Sequence, residues 1–361
     1  MLSQVLKDYR NTYAVTQEQL ANDLSIDVRT LRRWENQETV LKDTEELRRI
    51  ASVLGMEAER LGLTTESLTD EQVIQTQERV WQWVNEGRAW EARAIAEQLV
   101  SDLQEKAKDT GNTSAIYQLT NAHHAAAYAR GMNSRVSEFR CPLESYEAME
   151  ETAKSIDNPL LRAIAVTYQG DMYTRANKLE KSIPLLQQGV ELSPIDNPAA
   201  RGNAIQLLAR ALLKAGDVKA FEENMKEAEA LAGILSNKEI TRGQYGLLSV
   251  YEEYAKSYAL QGRGQKALDY IEKAYATGMH EKDKHWQMVL KTTKVIALVR
   301  GGEVSAGTEL AVECIEECKK YGTIRLLERI YGVHAYLKKE EKRIGKSAEA
   351  LGEALHGSIE Y

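Results

Sequence analysis

Residues 163–194 read AIAVTYQGDMYTRANKLEKSIPLLQQGVELSP. Counted from residue 163, Gly170, Tyr173, Ser182, Leu186, Gly189 and Pro194 stand at positions 8, 11, 20, 24, 27 and 32. Small residues alternate with large ones at the spacing by which two antiparallel helices nest across a short turn. The same frame places Ala209, Leu212, Phe221, Met225 and Ala228 in a following unit, then Ala255, Tyr258, Ala267, Ile271 and Ala274 in the next. Val80, Trp83, Ala92, Ala96 and Leu99 fit the frame near its start.

Those positions are similar to the tetratricopeptide repeat, a helix pair of about 34 residues that stacks on its neighbours. Here the anchors Gly170, Ala209 and Ala255 lie 39 and 46 residues apart, which implies longer helices. From residue 71 onward the chain reads as roughly seven such pairs. A stack of this kind is a solenoid, and its usual product is a concave surface.

Composition agrees with an all-α reading. With 5 prolines and 2 phenylalanines in 361 residues, an all-β chain is disfavoured, and no apolar run reaches the length of a membrane span. No early apolar segment follows Met1, so the sequence reads as cytoplasmic. Cys141, Cys314 and Cys318 match no disulfide framework or zinc spacing; Cys314 and Cys318 share a helix face and read as small buried residues. No Gly-rich phosphate loop, spaced nucleophile with base and acid, or pair of helical histidines appears, so neither an enzyme nor a cofactor or metal is expected.

Residues 1–63 have a different texture and read as five short helices over 2–10, 17–24, 28–34, 44–54 and 57–61. Thr16 with Gln19, and Asp43 with Glu46, form capping-box patterns, and Asp27 is placed to cap the third helix. Within residues 16–35, TQEQLANDLSIDVRTLRRWE, two short helices flank the turn Ser25-Ile26-Asp27. If Leu31 and Trp34 face the core, Val28, Arg29, Arg32 and Arg33 fall on the opposite side. This is a local basic face on a chain of net charge -7. Arginine suits bidentate contacts with guanine and phosphate, so Arg29 and Arg32 are expected to read bases. Val28 is available to a thymine methyl, and Arg33 is divided between base and phosphate. Thr16 and Gln17 start a helix whose N-terminus favours a phosphate.

The pattern Thr16-Gln17-Glu18-x-Leu20-Ala21, then Leu31 and Trp34-Glu35, resembles the Cro/C1 (XRE) helix-turn-helix family. The resemblance implies that the second helix's Gln17 touches the DNA backbone, that the third helix enters the major groove, and that Arg10 and Glu35 form an ion pair. Ser25 stands where the family often has glycine. With 9 Lys/Arg against 11 Asp/Glu in residues 1–63, weak non-specific binding is expected, with affinity resting on dimerisation and a specific site.

A domain of this kind (1–63), a linker (64–70) and a repeat array (71–339) together resemble the RRNPP peptide-responsive regulators. The resemblance implies a short signalling peptide bound in the concave groove and a homodimer on an inverted repeat of double-stranded DNA. Repeat positions left free by nesting include Thr167 and Asp171, then Asn203, Gln206 and Arg210, then Glu252 and Lys256, with Gln118 and Asn121 as weaker candidates beside His123-His124. Side-chain amides and paired charges suit a peptide backbone. A last helix, expected over 340–357 within a capping or dimerisation segment (340–361), carries a narrow apolar stripe of Leu337, Ile344, Ala348, Leu351 and Leu355 with basic flanks. Two alternatives stay open: a phage- or plasmid-type repressor whose array binds a protein, and a repeat scaffold whose helix-turn-helix does not bind DNA.

Overall fold

The computed structural model describes residues 2–13, 15–36, 38–39, 41, 43–56, 61, 68–235, 245–278, 281 and 283–358. Among these, every regular element is helical, seventeen α-helices and a 3₁₀ turn at 136–138. Four belong to the first domain: α1 (Leu2–Tyr13), α2 (Gln17–Asp23), α3 (Val28–Glu35) and α4 (Thr44–Val53). Residues 57–60 of the expected fifth helix (57–61), and residues 64–67 of the expected linker, lie outside the described residues, while Leu61 is buried in the core of the first domain.

The start signals act locally. Thr16 Oγ1 accepts from Gln19 N at 3.1 Å while Gln19 Oε1 accepts from Thr16 N at 2.8 Å, closing the capping box. Asp27 caps α3 through Thr30 N at 2.8 Å. Asp43 accepts from the backbone of Glu45 and Glu46, but Glu46 does not reciprocate: its carboxylate is bidentate with Arg49 at 2.8 and 2.6 Å, a charge-assisted contact that outcompetes a neutral backbone donor. Leu6, Leu20, Leu24, Leu31 and Ile50 close the small core.

The array follows as antiparallel pairs: α5 (Asp70–Asn85) with α6 (Ala89–Thr110), α7 (Thr113–Asn133) with α8 (Arg140–Ser155), α9 (Pro159–Arg175) with α10 (Leu179–Leu192), α11 (Pro198–Lys214) with α12 (Val218–Gly233), α13 (Leu247–Leu260) with α14 (Gly264–Ala276), and α15 (Lys284–Gly301) with α16 (Val304–Tyr321). The frame read from residues 163–194 marks the interior: Ala209, Phe221, Met225, Ala228, Ala255, Tyr258, Ala267 and Ile271 form one buried cluster. Gly170 is small for a reason, because a Cβ there would stand 2.6 Å from Leu186 Cγ across the α9–α10 contact.

In place of a seventh pair there is a single helix, α17 (Ile324–Ser358). Residue 340 is therefore not a helix start: nothing between Ile324 and Glu340 breaks the helix, and the lysines and glutamates there propagate it. The first half of α17 buries Leu326, Ile330 and Val333, whereas the described side chains from Glu341 to Leu351 are all exposed. That first half also packs on α7, so the array curls until its end meets its beginning. Glu328 accepts from Val136 N at 2.8 Å, and Gly322, with φ +67°, sits against the indole of Trp90.

Candidate functional site

Two places gather the polar residues singled out by the sequence. The first is the exposed face of α3. Leu31 and Trp34 are buried, and Arg29, Arg32 and Arg33 are all exposed on the other side. Val28 is half-buried and packs partly on the domain core, which leaves less of it free than the sequence suggested.

Glu35, only 3% exposed, ties the face to the rest of the domain. Arg10 Nε lies 3.0 Å from its Oε1, Gln17 Nε2 donates to its Oε2 at 2.6 Å, and Ser3 Oγ donates to its backbone carbonyl at 2.6 Å. Gln17 Oε1 in turn accepts from Arg32 Nε at 2.9 Å. Gln17 thus bridges Glu35 and Arg32, which orients the guanidinium of Arg32 across the first turn of α2. Thr16 presents its backbone and hydroxyl at the same end, although that hydroxyl already serves the cap. Ser25 adopts φ +53°, the left-handed turn conformation that glycine favours.

The domain rests on the array through polar contacts. Arg48 Nη1 reaches Asp102 Oδ2 at 3.3 Å, Arg79 pairs with Glu45, and Ser52 Oγ donates to Ala94 O at 3.2 Å. Beside them a gap of about 560 Å³ separates Asn22, Asp23 and Ser25 from Trp90, Lys319 and Lys320.

The second place is the inside of the curl, where Asn203, Gln206, Arg210 and Glu252 line a cavity of about 80 Å³. Asp171 and Lys256 stand behind that lining, joined to it by ion pairs. Arg210 donates to Asp171 Oδ1 at 2.7 Å and through Nε to Glu253 Oε2 at 2.9 Å; Asp171 also pairs with Arg175. Glu252 accepts from Arg329 at 2.8 Å and from Thr293 at 2.7 Å, and Lys256 reaches Glu253 at 2.7 Å. Thr167 is placed differently: buried at the α9–α10 crossing, it lies where a Cβ on Gly189 would go. Gln118 and His123 are buried on α7, and His124 lies among the rings of Trp81, Tyr146 and Tyr168. Asn121 donates to Tyr117 O at 2.9 Å.

Burial pushes the carboxyl pKa of Asp171 upward, but Arg175 and Arg210 outweigh it and hold the group well below the usual range. Glu252 is held low in the same way by Lys256 and Arg329. Burial and the nearby Arg210 bring Lys256 down to about 8. The lining is therefore a network of ionised groups whose charges largely answer one another, and not a row of free polar side chains.

Sequence reasoning missed half of it. Arg325 and Arg329 from α17, and His285 from α15, face the chamber because the curl brings the end of the array back to α7. A local repeat frame has no term for that closure. The adjacent pair Glu252-Glu253, both buried in α13, was the available signal. Cys314 and Cys318 are buried in α16, and burial pushes the Cys314 thiol up to about 12.

Residues 6–61 match the Helix-turn-helix family. None of the curated proteins compared matches the chain. Among solved structures, the chain is similar to PlcR of Bacillus thuringiensis, in a complex with the peptide PapR7 and DNA, at 14% identity and a TM-score of 0.36 over 77% of this chain and 97% of that one. It is also similar to the apo form of the competence regulator ComR of Streptococcus vestibularis, at 16% identity and a TM-score of 0.33 over 85% of this chain and 97% of that one. No helix among the described residues is long and apolar enough to cross a membrane.

Proposed function

We propose that this chain, a helix-turn-helix domain joined to a curled helical array, is a cytoplasmic transcriptional regulator that reads double-stranded DNA with α3 and is controlled by a short peptide received inside the curl. The observation that carries the first half is the single face on which Arg29, Arg32 and Arg33 are exposed together, with Arg32 oriented by Gln17 and the buried Glu35. Three guanidinium groups on one side of a helix that otherwise buries Leu31 and Trp34 suit base edges and phosphates of the major groove. Arg29 and Arg32 read bases, Arg33 and Val28 flank them, and Thr16 and Gln17 at the positive end of α2 approach the backbone.

What supports the second half is the concentration of amide and charged groups in the chamber: Asn203, Gln206, Arg210 and Glu252, backed by Asp171 and Lys256. A peptide presents the donors, acceptors and end charges that such a lining complements. The polar and gapped seat of the DNA-binding domain on α6 suits a joint whose pose changes with the array.

A second copy of the chain is the partner for the exposed half of α17. Exposed Ile344 and Leu351 stand seven residues apart with Ala348 between them, continuing the line of Leu337, which packs against the array's own core; this is the spacing of a coiled-coil seam, and so short an unsupported helix is marginal on its own. Two α3 helices then meet an inverted repeat.

The test is selection of binding sites from a pool of random duplexes with the full chain. Enrichment of a two-fold-symmetric sequence is expected. Recovery of no sequence preference would overturn the DNA-reading assignment and leave the array as a protein scaffold.

A further inference from the structure

The chamber holds more positive charge than its carboxylates answer. Asp171 is met by Arg175 and Arg210, Glu253 by Arg210 and Lys256, and Glu252 by Arg329, Lys256 and Thr293. Arg325, in the first turn of α17, borders the same cavity yet has no ion pair or hydrogen bond among the described residues. Five cationic side chains thus surround three carboxylates. Burial, with Arg175 alongside, pushes the Arg325 guanidinium down to about 9, outweighing the attraction of Asp171, whose own ion pairs are with Arg175 and Arg210. Close by, the imidazole of His285 is 8% exposed and its Nδ1 has no partner. Burial, with Arg325 and Arg329 nearby, keeps that ring neutral, with its pKa down to about 3. Both groups lie at the end of the chamber bounded by α15 and α17, which Thr323 and Leu326 also line.

Resting on the ligand-controlled reading above, we propose that this end of the chamber is an anion subsite: a carboxylate of the effector sits against Arg325, with His285 as its neutral hydrogen-bonding neighbour. A cavity of about 80 Å³ has room for one carboxylate with a water or two. The rest of a ligand enters by displacing α17. Because Gly322, three residues before Arg325, rests on Trp90, and Trp90 borders the gap facing Asn22, Asp23 and Ser25, an anion that moves the start of α17 also moves the seat of the DNA-binding domain.

The experiment uses the full chain and its Arg325→Gln and Arg329→Gln variants. Without ligand, Arg325→Gln is expected to melt at or above the wild-type Tm, because it deletes an uncompensated charge. Arg329→Gln should melt lower, because it strips Glu252 of a partner. An equal drop in both variants would make Arg325 an ordinary structural partner and overturn the proposal. The probes are sodium acetate, inorganic phosphate, and a pool of random heptapeptides made as C-terminal acids and as amides. Retained peptides should carry a carboxylate and bind Arg325→Gln at least ~30-fold more weakly. Retained peptides that bind wild type and variant alike, acids and amides alike, would overturn the subsite and leave the peptide reading standing. If no peptide is retained but acetate or phosphate raises the wild-type Tm and not that of Arg325→Gln, the subsite stands for a free small anion and the peptide reading falls. No response to any probe overturns both.

Discussion

Replacing Arg210 with methionine removes the guanidinium that joins Asp171 on α9 to Glu253 on α13, across the intervening α11. Both carboxylates are essentially inaccessible, at 1% and 0% exposure. At the 2.7 Å separation from Asp171 an effective dielectric of about 20 gives roughly 6 kcal/mol of attraction, most of it offset by the desolvation of the pair. What the substitution exposes is the unanswered charge left behind, about 3 to 5 kcal/mol for a buried pair. Asp171 keeps Arg175 and Glu253 keeps Lys256, so the lower end, about 3 kcal/mol, is expected. Glu253→Met in the Arg210→Met background removes the stranded carboxylate, and the double variant should recover about 2 kcal/mol relative to the sum of the singles. Urea unfolding followed by far-UV circular dichroism and by tyrosine absorbance measures the four corners of the cycle. Additive losses, with a coupling below about 0.5 kcal/mol, would refute the buried network.

Other expectations concern single residues. Ser25→Gly relieves the left-handed φ of +53° and should raise the stability of the first domain by about 0.5–1 kcal/mol in thermal unfolding; a loss would mean the serine side chain is needed in the turn. His123 is buried near Arg130, and its pKa is lowered by burial and by that charge to about 4. The folded state therefore stays neutral while the unfolded state takes up a proton below its ordinary pKa of 6.5, so its contribution is complete above 6.5 and is lost as pH falls toward 4, at up to about 1.4 kcal/mol per pH unit. His123→Asn should flatten that slope in urea titrations run between those pH values, and parallel curves for the two proteins would contradict the burial of the ring. On the proposed dimer, Ile344→Glu/Leu351→Glu on α17 should halve the mass in light scattering while leaving the helical signal unchanged, and an unaltered mass would overturn that contact.

The repeat frame was legible because nesting demands small and large residues at fixed spacings, and Gly170 against Leu186 shows the demand directly. The capping residues Thr16, Asp27 and Asp43 were legible for a similar reason: each acts on backbone within three residues of itself. Ion pairing was harder to read. Arg10 with Glu35 followed from a family resemblance and is present at 3.0 Å, but the chamber's pairs join residues tens of positions apart. Asp171 and Lys256 were read as free lining, and the structure spends them on Arg210 and Glu253. Arg325 and His285 escaped notice because a solenoid's curvature accumulates from small rotations between pairs, and only the whole sum brings α17 back to α7.

In the proposed function, α3 reads DNA through its arginines. Fluorescence anisotropy on a selected duplex, comparing the full chain with Arg29→Ala/Arg32→Ala, tests it most directly. Each bidentate base contact contributes about 1–3 kcal/mol, so loss of both should weaken specific binding by at least ~30-fold and relax the sequence preference at the matching positions. Equal affinity and unchanged preference in the double variant would contradict the account.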